Sequence, residues 1–308
     1  MALVTTSHDI YRGTSGITLP KELSNEIWAN AVQESAIMRL AQRIDLPGSG
    51  ITIPVITADP SADWVAESAE KPVSNSTFSS KNMTPYKLAV IETFSMEFRR
   101  DLPALYRELV RRLPAAIGKK FDATVFNGTA PGTGFDVLTS VTAQNIAATS
   151  SPATTVYGNL VSALTTLGAA GYELDGWALA VQGEAVLLNA VDGNGLPIFN
   201  TVRDANVPTI LGAREVRAQA AYKAGASGSP STPNTVGFAG DWSKARYGIV
   251  DGINIRISDQ ATVNDGTAQV NLWQRNMFAV LVEAELGFVV EDSNAFVKLT
   301  GTATGSTD

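Results

Sequence analysis

Apolar residues first fall into a helical period after Pro20. Leu23, Ile27, Ala31, Ile37 and Leu40 recur at steps of four, four, six and three, until Asp45-Leu46-Pro47-Gly48 ends the run. Proline suits a first helical turn, so the spacing predicts an amphipathic helix of about 20 residues starting at Pro20. Residues 1–19 are polar, rich in Ser, Thr and Gly, and aperiodic; they read as an extended arm that orders only against something else. Alternation follows. Ile51, Ile53 and Val55 alternate with Thr52 and Pro54, and a second apolar run occupies residues 87–94. Two paired strands are predicted. About 30 residues rich in Ser, Asp, Glu, Asn and Pro separate them, against roughly two to five in an ordinary hairpin turn. Such a loop needs a partner surface.

Residues 101–127 carry the longest helical pattern, with Leu105, Leu109, Leu113, Ile117, Phe121 and Val125 at every fourth position. Asp101 can cap it, Pro103 fits its first turn and Asn127-Gly128 closes it. Pro114 lies inside, where it cannot donate to the carbonyl of Val110 and crowds that turn, so the helix is expected to bend or split. Seven basic and four acidic residues between positions 97 and 122 read as a solvated face with ion pairs. A Gly-, Thr-, Ser- and Ala-rich connection over 129–155 marks a boundary. Beyond it Tyr157, Leu160, Val161, Leu164 and Leu167 predict a helix closed by Gly168 and Gly171, residues 177–181 a buried strand, and residues 183–191 a short helix. After a flexible stretch at 225–233 come strands at 235–239, 247–250, 253–257 and 277–290. In the last, Phe278, Val280, Val282, Ala284, Leu286, Phe288 and Val290 share one face, with Glu283 and Glu285 on the other. The pattern as a whole is α+β, with two bodies, a loose arm and an overlong loop.

Composition removes most chemistry. The 308 residues include 23 Lys plus Arg against 30 Asp plus Glu, a net charge of −7, the wrong sign for tracking phosphate backbones by bulk charge. There is no cysteine, hence no disulfide, thiolate nucleophile or sulfur-ligated metal. The single histidine, His8, stands in the polar leader beside Ser7 and Asp9, where solvation is the expected role. Neither a secretory leader nor an apolar run of ~18 residues is seen, so a cytoplasmic origin and no membrane contact are expected. Gly132-Thr133-Gly134 and Gly193-Asn194-Gly195 begin like dinucleotide loops but lack the third glycine and the flanking strand and helix; both read as turns. No P-loop or calcium loop is present. No cofactor or metal site is indicated.

More specific text is distributed along the chain: Trp64-Val65-Ala66-Glu67, Lys71-Pro72 and Thr77-Phe78 in the long loop, Gly240-Asp241-Trp242-Ser243, Arg275-Asn276-Met277, Glu283, and Ala295-Phe296-Val297-Lys298. With the order of parts, this resembles the HK97-like major capsid proteins of tailed bacteriophages, from about Pro20 to about Thr300. The resemblance implies an HK97-like capsid fold. By it, 1–48 would be the N-arm, 49–95 an extended E-loop hairpin, 96–150 the P-domain with its long spine helix, 151–235 the α/β A-domain, and 236–308 the strands returning to A- and P-domains. It further implies hexamers and pentamers of an icosahedral shell that encloses double-stranded DNA without reading its sequence. A portal protein and a decoration protein are partners such a shell admits. Because Met1 stands only about 20 residues before the arm helix, scaffolding is expected from a separate protein. The location implied is the virion capsid, assembled in the bacterial cytoplasm. In this family the spine helix flexes as the shell expands, which would place the bend at Pro114.

Some members join subunits by a lysine–asparagine isopeptide bond assisted by a glutamate, and Lys71, Asn276 and Glu283 match the three positions. The lysine amine would attack the asparagine amide, with ammonia leaving and the glutamate taking protons. In a regular strand Asn276 and Glu283, seven apart, point to opposite faces. The other reading has Lys71 in an intersubunit ion pair, Asn276 capping a turn and Glu283 paired with a base such as an arginine of the spine helix. Two rival functions share parts of this text: an encapsulin nanocompartment shell of the same fold, and a small-molecule enzyme or carbohydrate-binding module built around Trp177, whose plainer role is core packing.

Overall fold

The computed structural model describes residues 35–301 apart from 59, 61, 66, 68–69, 72, 75–76, 97–101, 149–154, 200–208, 227–231 and 265–267. The predicted arm, His8 and the helix start at Pro20 lie outside the described residues. The first described element is a five-residue helix, α1 (Ala36–Leu40). Ser35 is its N-cap, with extended backbone (φ −89°, ψ 124°) and a side-chain oxygen that accepts from the Met38 N–H. This corrects the predicted helix: an extended residue at 35 cannot carry one continuous helix from Pro20 to Leu40. Strand β1 (Gln42–Asp45) then joins the main sheet, a strand the helical period did not foresee.

The pairing predicted between 51–57 and 87–94 also changes. Strand β2 (Ile51–Ala58) pairs antiparallel with β3 (Thr77–Met83), from Ile51↔Met83 to Ala58↔Thr77, while β4 (Tyr86–Ser95) leaves for the main sheet. The loop is therefore residues 59–76 rather than the whole interval. In β3, Thr-Phe-Ser-Ser-Lys-Asn-Met, all but Lys81 and Met83 are exposed. A strand wet on both faces has no need of alternation, which is why the pattern missed it.

The main sheet has the order β1-β10-β13-β4, with β10 (Ala245–Ser258) and β13 (Met277–Val290) at its centre. The strands predicted at 247–250 and 253–257 are one, interrupted by an irregularity between Ile249 and Ile253 where Gly252 takes φ 55°. As expected from its alternation, β13 buries Phe278, Val280, Val282, Ala284, Leu286, Phe288 and Val290 in the larger core. Helix α2 (Leu102–Asn127) covers that face, with Ile117, Phe121, Val125 and Phe126 in the same core. Phe121 meets Phe288 edge-on at 6.3 Å between ring centroids. Residue 114 lies within this one helix, so the helix does not split at Pro114.

A second sheet has six strands in the order β5-β14-β9-β6-β8-β7, namely β5 (Thr142–Asn145), β14 (Phe296–Thr300), β9 (Thr235–Gly240), β6 (Gly176–Leu179), β8 (Ala213–Arg217) and β7 (Thr209–Ile210). Helices α3 (Val156–Ala169) and α4 (Val181–Leu188) cover one face through Leu160, Leu167 and Leu187 against Trp177, Leu179 and Leu299. The opposite face puts Ala178, Val216, Phe238 and Phe296 into the larger core, where Phe238 stacks on Phe126 of α2 at 5.1 Å. The two bodies expected thus share a core across this sheet. A small hairpin, β11 (Thr262–Asn264) with β12 (Gln269–Asn271), projects between β10 and β13.

Candidate assembly surfaces

The β2–β3 hairpin is fixed at its base and bare beyond it. Gly248 and Gly287 are partners across β10 and β13, and Met83 and Leu46 lie directly over them. A Cβ on Gly248 would stand 2.7 Å from the Met83 sulfur, and one on Gly287 2.8 Å from its Cγ, so only glycine leaves this slot open. Met83, Leu46, Ile53 and Val289 fill it as a small core of their own. Polar contacts add direction: Lys81 Nζ lies 3.2 Å from Asp136 Oδ2, which also accepts from the Val290 N–H at 3.0 Å. Nearby the Tyr172 hydroxyl donates to Asp292 at 2.7 Å; burial, and then this carboxylate, push its pKa up to about 12. Farther out Ile56, Trp64, Val73 and Phe78 are exposed, Trp64 completely. Burying each would be worth ~1.5–3 kcal/mol. A fixed stem that holds large apolar side chains in water is a surface awaiting another chain.

Two buried carboxylates hold elements together. Asp122 of α2 is 4% exposed and accepts from the Ser35 hydroxyl at 2.5 Å, the Ala36 N–H at 2.8 Å and the Ile37 N–H at 3.3 Å. It thereby satisfies the first amides of α1. Burial raises its pKa to about 6, against the lowering effect of those three bonds. On the second sheet Glu184 of α4 takes a two-pronged contact from Arg217 of β8. Glu215, also buried, is raised to about 7 by burial and then by Glu184, with Arg217 opposing. At Asp122 this corrects the reading of the charges between 97 and 122 as a solvated face, while Glu184 and Glu215 drew no notice because a single Glu on an amphipathic element carries no periodic signal.

The three crosslink candidates do not meet within the chain. Lys71 is exposed in the hairpin loop. Asn276 is exposed in the turn before β13, with φ 52°, and its carbonyl accepts from the Met96 N–H at 2.9 Å. Strand parity therefore does not reach Asn276. Glu283 sits within β13 between Asn254 and Ala89, on the side turned away from α2, seven residues or roughly 23 Å along from Asn276. Trp177 is fully buried and its indole N–H donates to the Ile210 carbonyl at 2.9 Å, a core role. Asp192 accepts from the Asn194 and Leu196 amides, so 192–196 is a turn as expected.

A hairpin fixed at its base that holds large apolar side chains in water is a feature of the class of proteins that associate with other chains. Comparison with known proteins places it further. The model of the phage capsid family matches residues 15–301. The probable major capsid protein gp17 of Mycobacterium phage L5 is 34% identical over 296 residues, covering 92% of this chain and 89% of that protein. Among solved structures, a chain from Mycobacterium phage Bobi superposes with a TM-score of 0.69 at 23% identity, over 88% of this chain and 91% of that one. One from Gordonia phage Cozz gives 0.67 at 22%, over 98% and 92%. The chain belongs to the phage capsid family, with the HK97-like fold. Its role is that of a tailed-phage major capsid protein, a structural part, and its place is the virion capsid.

Proposed function

We propose that this chain forms the hexamers and pentamers of an icosahedral shell around double-stranded DNA, assembled in the host bacterial cytoplasm. The supporting observation is the hairpin: its base is locked by Met83 over Gly248 and Gly287, and its far part exposes Trp64, Val73 and Phe78. In this reading 1–48 serves as N-arm, 49–95 as E-loop, 96–150 as P-domain with α2 as spine, 151–235 as A-domain, and 236–308 as the returning strands. Pro114 is the point where α2 bends as the shell changes size. The charge of −7 suits a container that does not bind its genome tightly. A portal protein, a scaffolding protein and a decoration protein are the partners this reading admits. Negative-stain microscopy of the recombinant chain, with and without scaffold, tests the proposal: closed particles or rings support it, and uniform monomers with scaffold supplied overturn it.

Lys71 and Asn276 are the candidate isopeptide pair between subunits, with Glu283 the candidate proton acceptor. Both Lys71 and Asn276 are accessible, but the offset along β13 requires the carboxylate to come from a different subunit than the asparagine. The amine nitrogen would bond to the amide carbon, the C–N bond to the amide nitrogen would break, and ammonia would leave. Boiled denaturing gels of purified shells decide it. A ladder above 32.5 kDa that Lys71→Ala abolishes supports the bond, and a single band refutes it.

A further inference from the structure

Residues 137–172 contain no Asp, Glu, Lys, Arg or His, a run of 36 residues in a chain that is 17% charged, where about six charges would be expected. Asp136 and Glu173 bound it. This block builds two neighbouring surface features. The first is β5, which ends the six-stranded sheet and, among the described residues, pairs only with β14, leaving its other edge without a strand partner there. Edge strands of lone proteins are usually guarded by lysine, proline or a bulge. Here Thr142, Ala143 and Asn145 are exposed and β5 itself carries neither lysine nor proline, while Lys298 of the neighbouring β14 holds its ammonium on the Thr139 carbonyl. The second is α3, which turns Leu160 and Leu167 inward but leaves Tyr157, Val161 and Leu164 between 36% and 43% exposed. The Asn159 side chain donates to the Ala147 carbonyl at 2.8 Å, joining α3 to the segment that leaves β5. Edge and helix thus form one flank with no charged residue of its own, bordered by Lys298.

We propose that this flank is the contact by which one subunit docks side by side on a second copy of the chain. The inference rests on the shell reading and names the face that serves it. Copies that each carry −7 repel, so they approach most easily where the surface bears no acidic residue. A nucleic-acid partner would require a cluster of free cations, whereas Lys298 beside β5 already donates to the Thr139 carbonyl at 3.1 Å. An apolar stripe beside a free strand edge matches a neighbour that can cover both, and a head-to-tail contact of unlike surfaces closes into a ring.

Two variants test it. Val161→Glu with Leu164→Glu places charge on exposed positions, where folding is expected to persist by circular dichroism while the assembled fraction drops at least tenfold. Assembly equal to that of the parent overturns the proposal. Because the chain has no cysteine, Ser162→Cys is a unique label on the same face. In intact shells its maleimide labelling is expected at least tenfold slower than in folded, unassembled subunits, and equal labelling overturns the proposal even if the charged variant misfolds. A parent chain that forms no oligomer under any condition overturns the shell reading itself, and this inference with it.

Discussion

The Asp122 clamp makes a prediction whose sign runs against intuition about buried ion contacts. Its carboxyl is raised from 3.8 to about 6, so the folded state holds the proton more tightly than the unfolded chain. A raised acid destabilises where it must ionise: the penalty is absent below about pH 4 and complete above about pH 6. Two pKa units correspond to about 3 kcal/mol, of which about 2 kcal/mol develops between pH 4.5 and 7.5. Asp122→Asn keeps the shape and one acceptor oxygen but removes the ionisation. Urea unfolding of unassembled subunits, followed by circular dichroism from pH 4.5 to 7.5, should show the parent losing about 2 kcal/mol relative to the variant across that range. Amide protection at Ala36 and Ile37, corrected for the intrinsic pH dependence of exchange, should fall in the parent relative to the variant over the same interval as global stability is lost. Parallel pH profiles for the two proteins would refute the reasoning, because Asp122 would then carry no differential proton affinity.

Three further outcomes follow from other sites. Gly287→Ala forces a Cβ against Met83 and Leu46 and should cost ~1–3 kcal/mol by urea titration, with Met83→Ala in the same chain recovering part of the loss. Glu215→Gln removes a carboxylate raised to about 7, so it should stabilise at pH 8 and give no gain at pH 4.5; equal effects at both would exclude the buried-charge account. Trp177→Phe leaves the Ile210 carbonyl without its donor and opens a void, at about 2–4 kcal/mol in thermal or urea unfolding.

Elements with one buried face were legible in the sequence. β13, α3 and the end of α2 at Asn127 came out close to their observed limits, because a face buried against a core forces apolar residues into register. β3 and β5 did not, since strands with mostly exposed side chains carry no such constraint. The helix expected to run from Pro20 failed at Ser35: Ile37 and Leu40 fit its period, yet the clamp to Asp122, 87 residues away, makes Ser35 a cap. The pairing of β2 with β3 rather than β4 was hidden for the same reason as β3 itself. The run without charge at 137–172 was in plain view, but it acquires meaning only once β5 is known to be an edge. The distributed motifs carried the architecture further than periodicity could, because they mark loops and turns that the period does not describe.

Taken together, the buried acids and the net charge push assembly in one direction. Asp122 and Glu215 both favour the protonated form, so each strengthens the subunit as pH falls from 7.5 to 5.5. Over the same interval the chain moves toward its pI near 4.9, and repulsion between copies weakens. Shells should therefore resist urea better at pH 5.5 than at 7.5. The two contributions separate by salt: 0.5 M salt, with a screening length of about 4 Å, should reproduce the gain in resistance to dissociation at pH 7.5 without the gain in subunit unfolding. Asp122→Asn with Glu215→Gln should do the reverse, flattening the unfolding profile while leaving the salt response of dissociation intact. Shells that weaken between pH 7.5 and 5.5 at fixed salt would mean that other titrations dominate, and that neither buried acid governs how these subunits hold together.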